Sequence, residues 1–130
     1  MRCLLDTHTF AWAVGAPTQL GERARTLIAD SSVSLLVSPA SIWEMSIKHA
    51  LGKWPEVAPF LDDKLFVQLR SRLGLTELPV RIPHTRLAGQ FSVSHKDPFD
   101  RLLVAQAVLE GLTLLSKDTA LDAFPTTRIW

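Results

Sequence analysis

Short apolar runs closed by turn residues alternate along this chain with longer segments of helical period. Residues 3–5 end at Asp6, residues 34–37 at Ser38-Pro39, and residues 112–115 at Ser116-Lys117-Asp118; residues 127–129 form a fourth run. Runs this short and apolar predict strands covered on both faces. Residues 75–78, which mix Thr76 and Glu77 with leucine before Pro79, are a fifth candidate. Between them, residues 20–29 carry an amphipathic stripe of Leu20, Ala24, Leu27 and Ile28. Residues 38–51 open with Ser38 as cap and Pro39 in the first turn, turn Ile42, Trp43, Met45 and Ile47 inward, and stop at Gly52. Residues 58–73 carry Phe60, Leu61, Leu65, Leu69 and Leu73 before Gly74. Residues 97–110 run from Asp97-Pro98 to Gly111. Residues 52–55 read as a turn and 79–83 as a loop. Strands separated by helices predict an α/β fold with a mainly parallel sheet, whose sites form at the carboxyl ends of the strands.

That edge is where the acids fall. Asp6 and Asp118 follow two strands directly. Glu44 lies in the second turn of the helix after residues 34–37. Asp100 lies in the first turn of the helix leading into the Asp118 strand. Carboxylates brought together repel by ~4 kcal/mol per pair at about 4 Å and an effective dielectric of about 20. Protonation or a cation resolves such a cluster, and all-oxygen ligands suit Mg²⁺ or Mn²⁺. A cation so held can bind phosphate and activate water. Each acid also has a plain structural reading. Asp6 can end a strand, Glu44 can pair with Lys48 at i+4, Asp97 and Asp100 can cap a helix, and Asp118 can cap a turn. Lys48, Lys53, Lys96 and Arg101 flank the acids, as a solvated face or as phosphate contacts. Trp12, Trp43, Trp54 and Trp130 read as packing residues rather than base-stacking ones. His8 could face the site, and His95 could orient the loop before Asp97. His49 and His84 carry no signal. No Gly-rich phosphate loop and no zinc spacing occurs.

Composition narrows the class. With 47% apolar and 21% charged residues in 130, the chain is expected to form one domain over residues 1–130. Fourteen basic residues against 13 acidic exclude a wrapping polycation. Setting Asp6, Glu44, Asp100 and Asp118 aside leaves nine acids against those 14, an acidic hole in a moderately basic surface. The single Cys3 fits a reducing cytoplasm. The start reaches Asp6 too early for a signal peptide, and residues 102–115 fall short of the ~20 a membrane span needs.

Several segments together resemble one family. Leu4-Leu5-Asp6-Thr7-His8 is similar to the opening strand and first acid of PIN-domain ribonuclease toxins of the VapC type, from type II toxin–antitoxin systems. Residues 38–48, with Ser38, Ser41, Trp43 and Glu44, resemble that family's Ser-x-x-Ser-x-Trp-Glu helix, followed by Gly52-Lys53. His95-Lys96-Asp97-Pro98-Phe99-Asp100-Arg101 resembles its most specific segment, and Ser116-Lys117-Asp118 its closing acid, where Thr is commoner than Ser. Residues 90–94 lack the Leu-Pro often seen there. The resemblance implies a three-layer α/β/α fold and Mg²⁺- or Mn²⁺-dependent cleavage of RNA. It implies Asp6, Glu44, Asp100 and Asp118 as the catalytic, metal-holding quartet, with Asp97 as second choice for the third acid. Lys48 and Arg101 are candidate substrate contacts. A homodimer and a cognate VapB-type antitoxin are the implied partners. A DNA-directed or structure-specific nuclease, and a non-catalytic RNA-binding or antitoxin-docking module, are the alternatives.

Overall fold

The computed structural model describes residues 1–130. Five strands form one sheet: β1 (Arg2–Leu5), β2 (Ser34–Val37), β3 (Leu75–Glu77), β4 (Thr113–Leu115) and β5 (Thr127–Ile129). Their order is β3-β2-β1-β4-β5, and every pairing is parallel. Alternation along each strand divides two cores. Leu4, Leu36 and Leu114 face one side, where Leu103, Val104 and Ala107 cover them. Cys3, Leu5, Leu35, Val37 and Leu115 face the other, under Phe10, Met45, Val57 and Phe60. Helices α1 (Thr7–Gly15), α2 (Glu22–Ala29), α3 (Pro39–Ala50) and α4 (Asp63–Leu73) supply most of the second cover. Helix α6 (Pro98–Glu110), with α5 (Ile82–Gln90) packed against it, supplies the first. The result is the parallel α/β sheet that the pattern predicts, in the three-layer α/β/α sandwich that the resemblance implies. No helix is long and apolar enough to cross a membrane.

The local reasons are legible in the residues. Ser38 accepts from the Ala40 N–H and Asp97 from the N–H groups of Phe99 and Asp100, so α3 and α6 start at their predicted caps. Helix α6 ends at Gly111 with φ 65°, a left-handed position that a side chain would strain. Two helices were not predicted. The α1 segment has little polar contrast, and its cap is Asp6, which accepts from the Thr9 N–H. The α5 segment carries Pro83, tolerated because it stands in the first turn. The predicted helix over 58–73 splits. Residues Pro55–Leu61 form a 3₁₀ stretch containing Pro59, and the α-helix begins only after Asp62, which caps it through the Leu65 N–H.

This order places the site. β1 is central, with the chain leaving to β2 on one side and β4 on the other. The crevice at such a switch point opens at the carboxyl ends of the strands, and Asp6 stands in it, its N–H bonded to the Leu115 carbonyl.

Candidate active site

Asp6 is 9% exposed. Its Oδ1 accepts from the Thr9 N–H at 2.8 Å. Burial pushes its carboxyl up from the usual range, while hydrogen bonds from Ser116 and Thr9 pull it back. Ser116 is fully buried and accepts from the Asp118 N–H at 3.1 Å. One hydroxyl therefore ties the end of β1 to the turn after β4. Thr9 bonds the Leu115 carbonyl at 2.8 Å, and Arg128 holds the Ser116 carbonyl at 2.9 Å.

Asp100 and Asp118 come together. Together with His95 they can each aim a ligand atom such that all three lie within 4.8 Å of one another. His95 Nε2 meets Asp100 Oδ2 at 2.8 Å. The Asp100 carboxyl is raised to about 6, first by burial and further by the charges of Asp97 and Glu44, against the relief from His95. Asp118 is exposed and caps the following 3₁₀ turn through the Ala120 N–H. Glu44 is 5% exposed and pairs with Lys48 Nζ at 2.5 Å. It and Asp6 lie outside the three-residue group, though the Glu44 charge reaches Asp100. The i+4 pairing thus coexists with a place near the acids.

Three expected site residues, the second-choice acid Asp97 and the candidate substrate contacts Arg101 and Lys48, are engaged within the chain. Asp97 serves as the α6 cap, its Oδ1 accepting two backbone N–H groups. Arg101 is spent on the backbone. Its guanidinium donates to the carbonyls of Ala88, Phe91, Val93 and His95 at 2.7–2.9 Å. That clamp shapes the 91–95 loop and so sets His95. Lys48 is occupied by Glu44. His95 and Ser116 were not predicted as site residues: each enters through one tertiary contact, and only the proximity of His95 to Asp97 and Asp100 hinted at it.

The donor set fits a divalent cation. Asp100 and Asp118 offer hard carboxylate oxygens, His95 adds a nitrogen that Mn²⁺ accepts readily, and the acids' mutual repulsion is the charge a cation would offset.

Known proteins agree with this architecture. The PIN domain family model matches residues 3–126. A search among curated protein sequences returns no significant match. Three solved structures are similar in fold. A chain of VapBC2 from Rickettsia felis, bound to a DNA fragment from their promoter, superposes with TM-score 0.70 at 15% identity, covering 99% of this chain and 98% of that one. A chain of DNA-bound VapBC from Salmonella typhimurium gives 0.67 at 16%, covering 100% and 97%. A chain of FitAcB from Neisseria gonorrhoeae gives 0.65 at 20%, covering 98% and 96%. With five parallel strands in this order and the acids on one edge, the chain belongs to the PIN domain family, whose members are generally metal-dependent nucleases.

Proposed function

We propose that this protein is the toxin of a type II toxin–antitoxin pair, a VapC-type endoribonuclease that hydrolyses RNA phosphodiester bonds with Mg²⁺ or Mn²⁺. The observation that carries this reading is the meeting of Asp100 and Asp118 with His95 beside the buried Asp6, in a family of nucleases. Asp100 and Asp118 would hold the cation, with Asp6 and Glu44 acting directly or through water. When bound, the cation supplies neutralisation of phosphate charge and polarisation of a water. The chain's own residues do the rest. Asp6, whose Oδ1 accepts the Thr9 N–H, would be the carboxylate that helps to take the proton of the attacking water. His95 orients Asp100. Arg101 holds the loop that carries His95, acting as a positioning residue. Lys48, paired with Glu44, would reach a phosphate oxygen only by sharing or leaving that pair.

The fold neighbours are chains of VapBC and FitAB complexes, which supports a VapB-type antitoxin as partner of this chain. A homodimer and a cytoplasmic location belong to the same reading. The test is cleavage. Purified protein is incubated with transfer and ribosomal RNAs and with DNA of matched sequence, in Mg²⁺, Mn²⁺ or chelator, and ends are mapped. Cation-dependent cuts at defined RNA positions are expected. Cleavage of DNA alone would replace RNA as substrate, and metal-independent binding without cuts would leave a docking module.

A further inference from the structure

Beside the acids lies an aromatic surface that the chemistry above leaves unused. His8, two residues beyond Asp6, is exposed in the first turn of α1. Its ring stacks on Trp54 with centroids 4.5 Å apart and planes 21° from parallel. Trp12, one turn further along the same helix face, approaches His8 at 5.4 Å and leans on Trp130 at 5.8 Å. Trp12 and Trp54 wall a cleft of about 360 Å³ between α1 and the 3₁₀ stretch. Two cations sit over these rings: Lys48 Nζ is 5.7 Å from Trp54 and Lys117 Nζ 5.8 Å from Trp12. Both lysines also border the acids, Lys117 preceding Asp118 and Lys48 pairing with Glu44.

Core packing alone does not account for an exposed imidazole in this stack. The core ring Phe10 is sealed from solvent and packs edge-on against Phe60. Trp54 rests one side on that core and, like Trp12, keeps only part of its surface open, whereas the imidazole added to the stack is exposed. Ring faces with ammonium groups beside them are the composition that holds single-stranded nucleic acid: bases stack on the rings while cations follow the phosphates. A purely apolar protein partner would have no use for the two lysines.

We propose that His8, Trp12 and Trp54 form a base-stacking track for unpaired nucleotides adjoining the scissile phosphate, with Lys117 and Lys48 along their backbone. The placement of that phosphate rests on the nuclease reading above; the track itself is testable without turnover. The probes are a fluorescent uridylate dodecamer and an abasic strand of equal length, titrated in chelator and read by anisotropy and by tryptophan quenching. The wild type should bind the dodecamer roughly ten-fold more tightly than the abasic strand. His8→Ala and Trp54→Leu should each weaken the dodecamer roughly ten-fold while moving the abasic strand less than two-fold, and Trp54→Phe should restore binding. Because His8 is exposed, its variant keeps the test sound should Trp54→Leu fold poorly. Equal weakening for both strands, or none, overturns the track. Base-dependent binding by a protein that cleaves no RNA would sink the nuclease reading and leave the track standing. RNA cleavage with base-blind binding would sink the track alone.

Discussion

At the end of β1 the Asp6 carboxylate is almost sealed from water but is met by donors: the Thr9 N–H and the Ser116 hydroxyl. Across the crevice the Asp100 side chain is 24% exposed, and it meets one imidazole among the charges of Asp97 and Glu44. Both carboxyls are raised by burial, but they are compensated differently. The Asp6 corner compensates its acid in part from within the chain and also uses it to start α1. The Asp100 corner gathers the charges of Asp97 and Glu44 around an acid that His95 relieves only in part. Where donors leave the charge of a buried carboxylate partly unmet, a cation has a place.

The largest effects should separate the two corners by chemistry. Asp100→Asn is expected to cut cation-dependent RNA cleavage at least ~100-fold, with the apo melting temperature unchanged or higher, because repulsion from Asp97 and Glu44 is relieved. Asp6→Asn should lose cleavage too while keeping its cap, since Asn accepts the Thr9 N–H equally well. A sharp fall in melting temperature for Asp100→Asn would instead make that acid a structural cap.

Arg101→Ala comes next. Removing a guanidinium that satisfies four carbonyls should cost about 3 kcal/mol in urea unfolding. Arg101→Lys should recover less than half of it, because an ammonium cannot reproduce the fork. A loss below about 0.5 kcal/mol would mean that water replaces those bonds without penalty.

The third effect is on pH. Asp100 holds its proton up to about pH 6 when folded and releases it near about 4 when unfolded. Between those values the folded state binds more protons, so apo stability falls as pH rises and the loss is complete above about 6. Asp6 acts in the same direction. Allowing for solvent screening, the Asp100 share is about 1–2 kcal/mol. Asp100→Asn should flatten the profile in melts taken from pH 4 to 7.5, and an unchanged slope would place the titration elsewhere. The smallest effect belongs to Lys48→Ala. Its pair with Glu44 spans one helical turn and is partly exposed, so stability should shift by less than about 0.5 kcal/mol.

Sequence reasoning reached furthest where one local rule sufficed. The alternating strands, the caps at Ser38 and Asp97 and the stops at Gly74 and Gly111 each follow from a few neighbouring residues. It failed where two rules competed for one residue. Asp6 reads as a strand-end acid, which hides that it caps α1. Pro83 reads as a loop residue although the first turn of α5 accepts it. For the site, spacing pointed to the strand-end acids but could not show which of them touch. That His95 joins Asp100 and Asp118, or that Ser116 links Asp6 to Asp118, depends on loops meeting across the sheet edge. The direction of a long side chain was equally hidden. Arg101 beside Asp100 looks like a phosphate contact until its four carbonyl partners are seen.

The nuclease reading requires the Asp100 corner to take up a divalent cation. It is tested most directly by titrating Mn²⁺ into the RNA-free protein at pH 7.5, with free ion followed by electron paramagnetic resonance. Saturable binding is expected, weakened at least ~10-fold by each of Asp100→Asn and Asp118→Asn. Binding of equal strength in the wild type and both variants would contradict it.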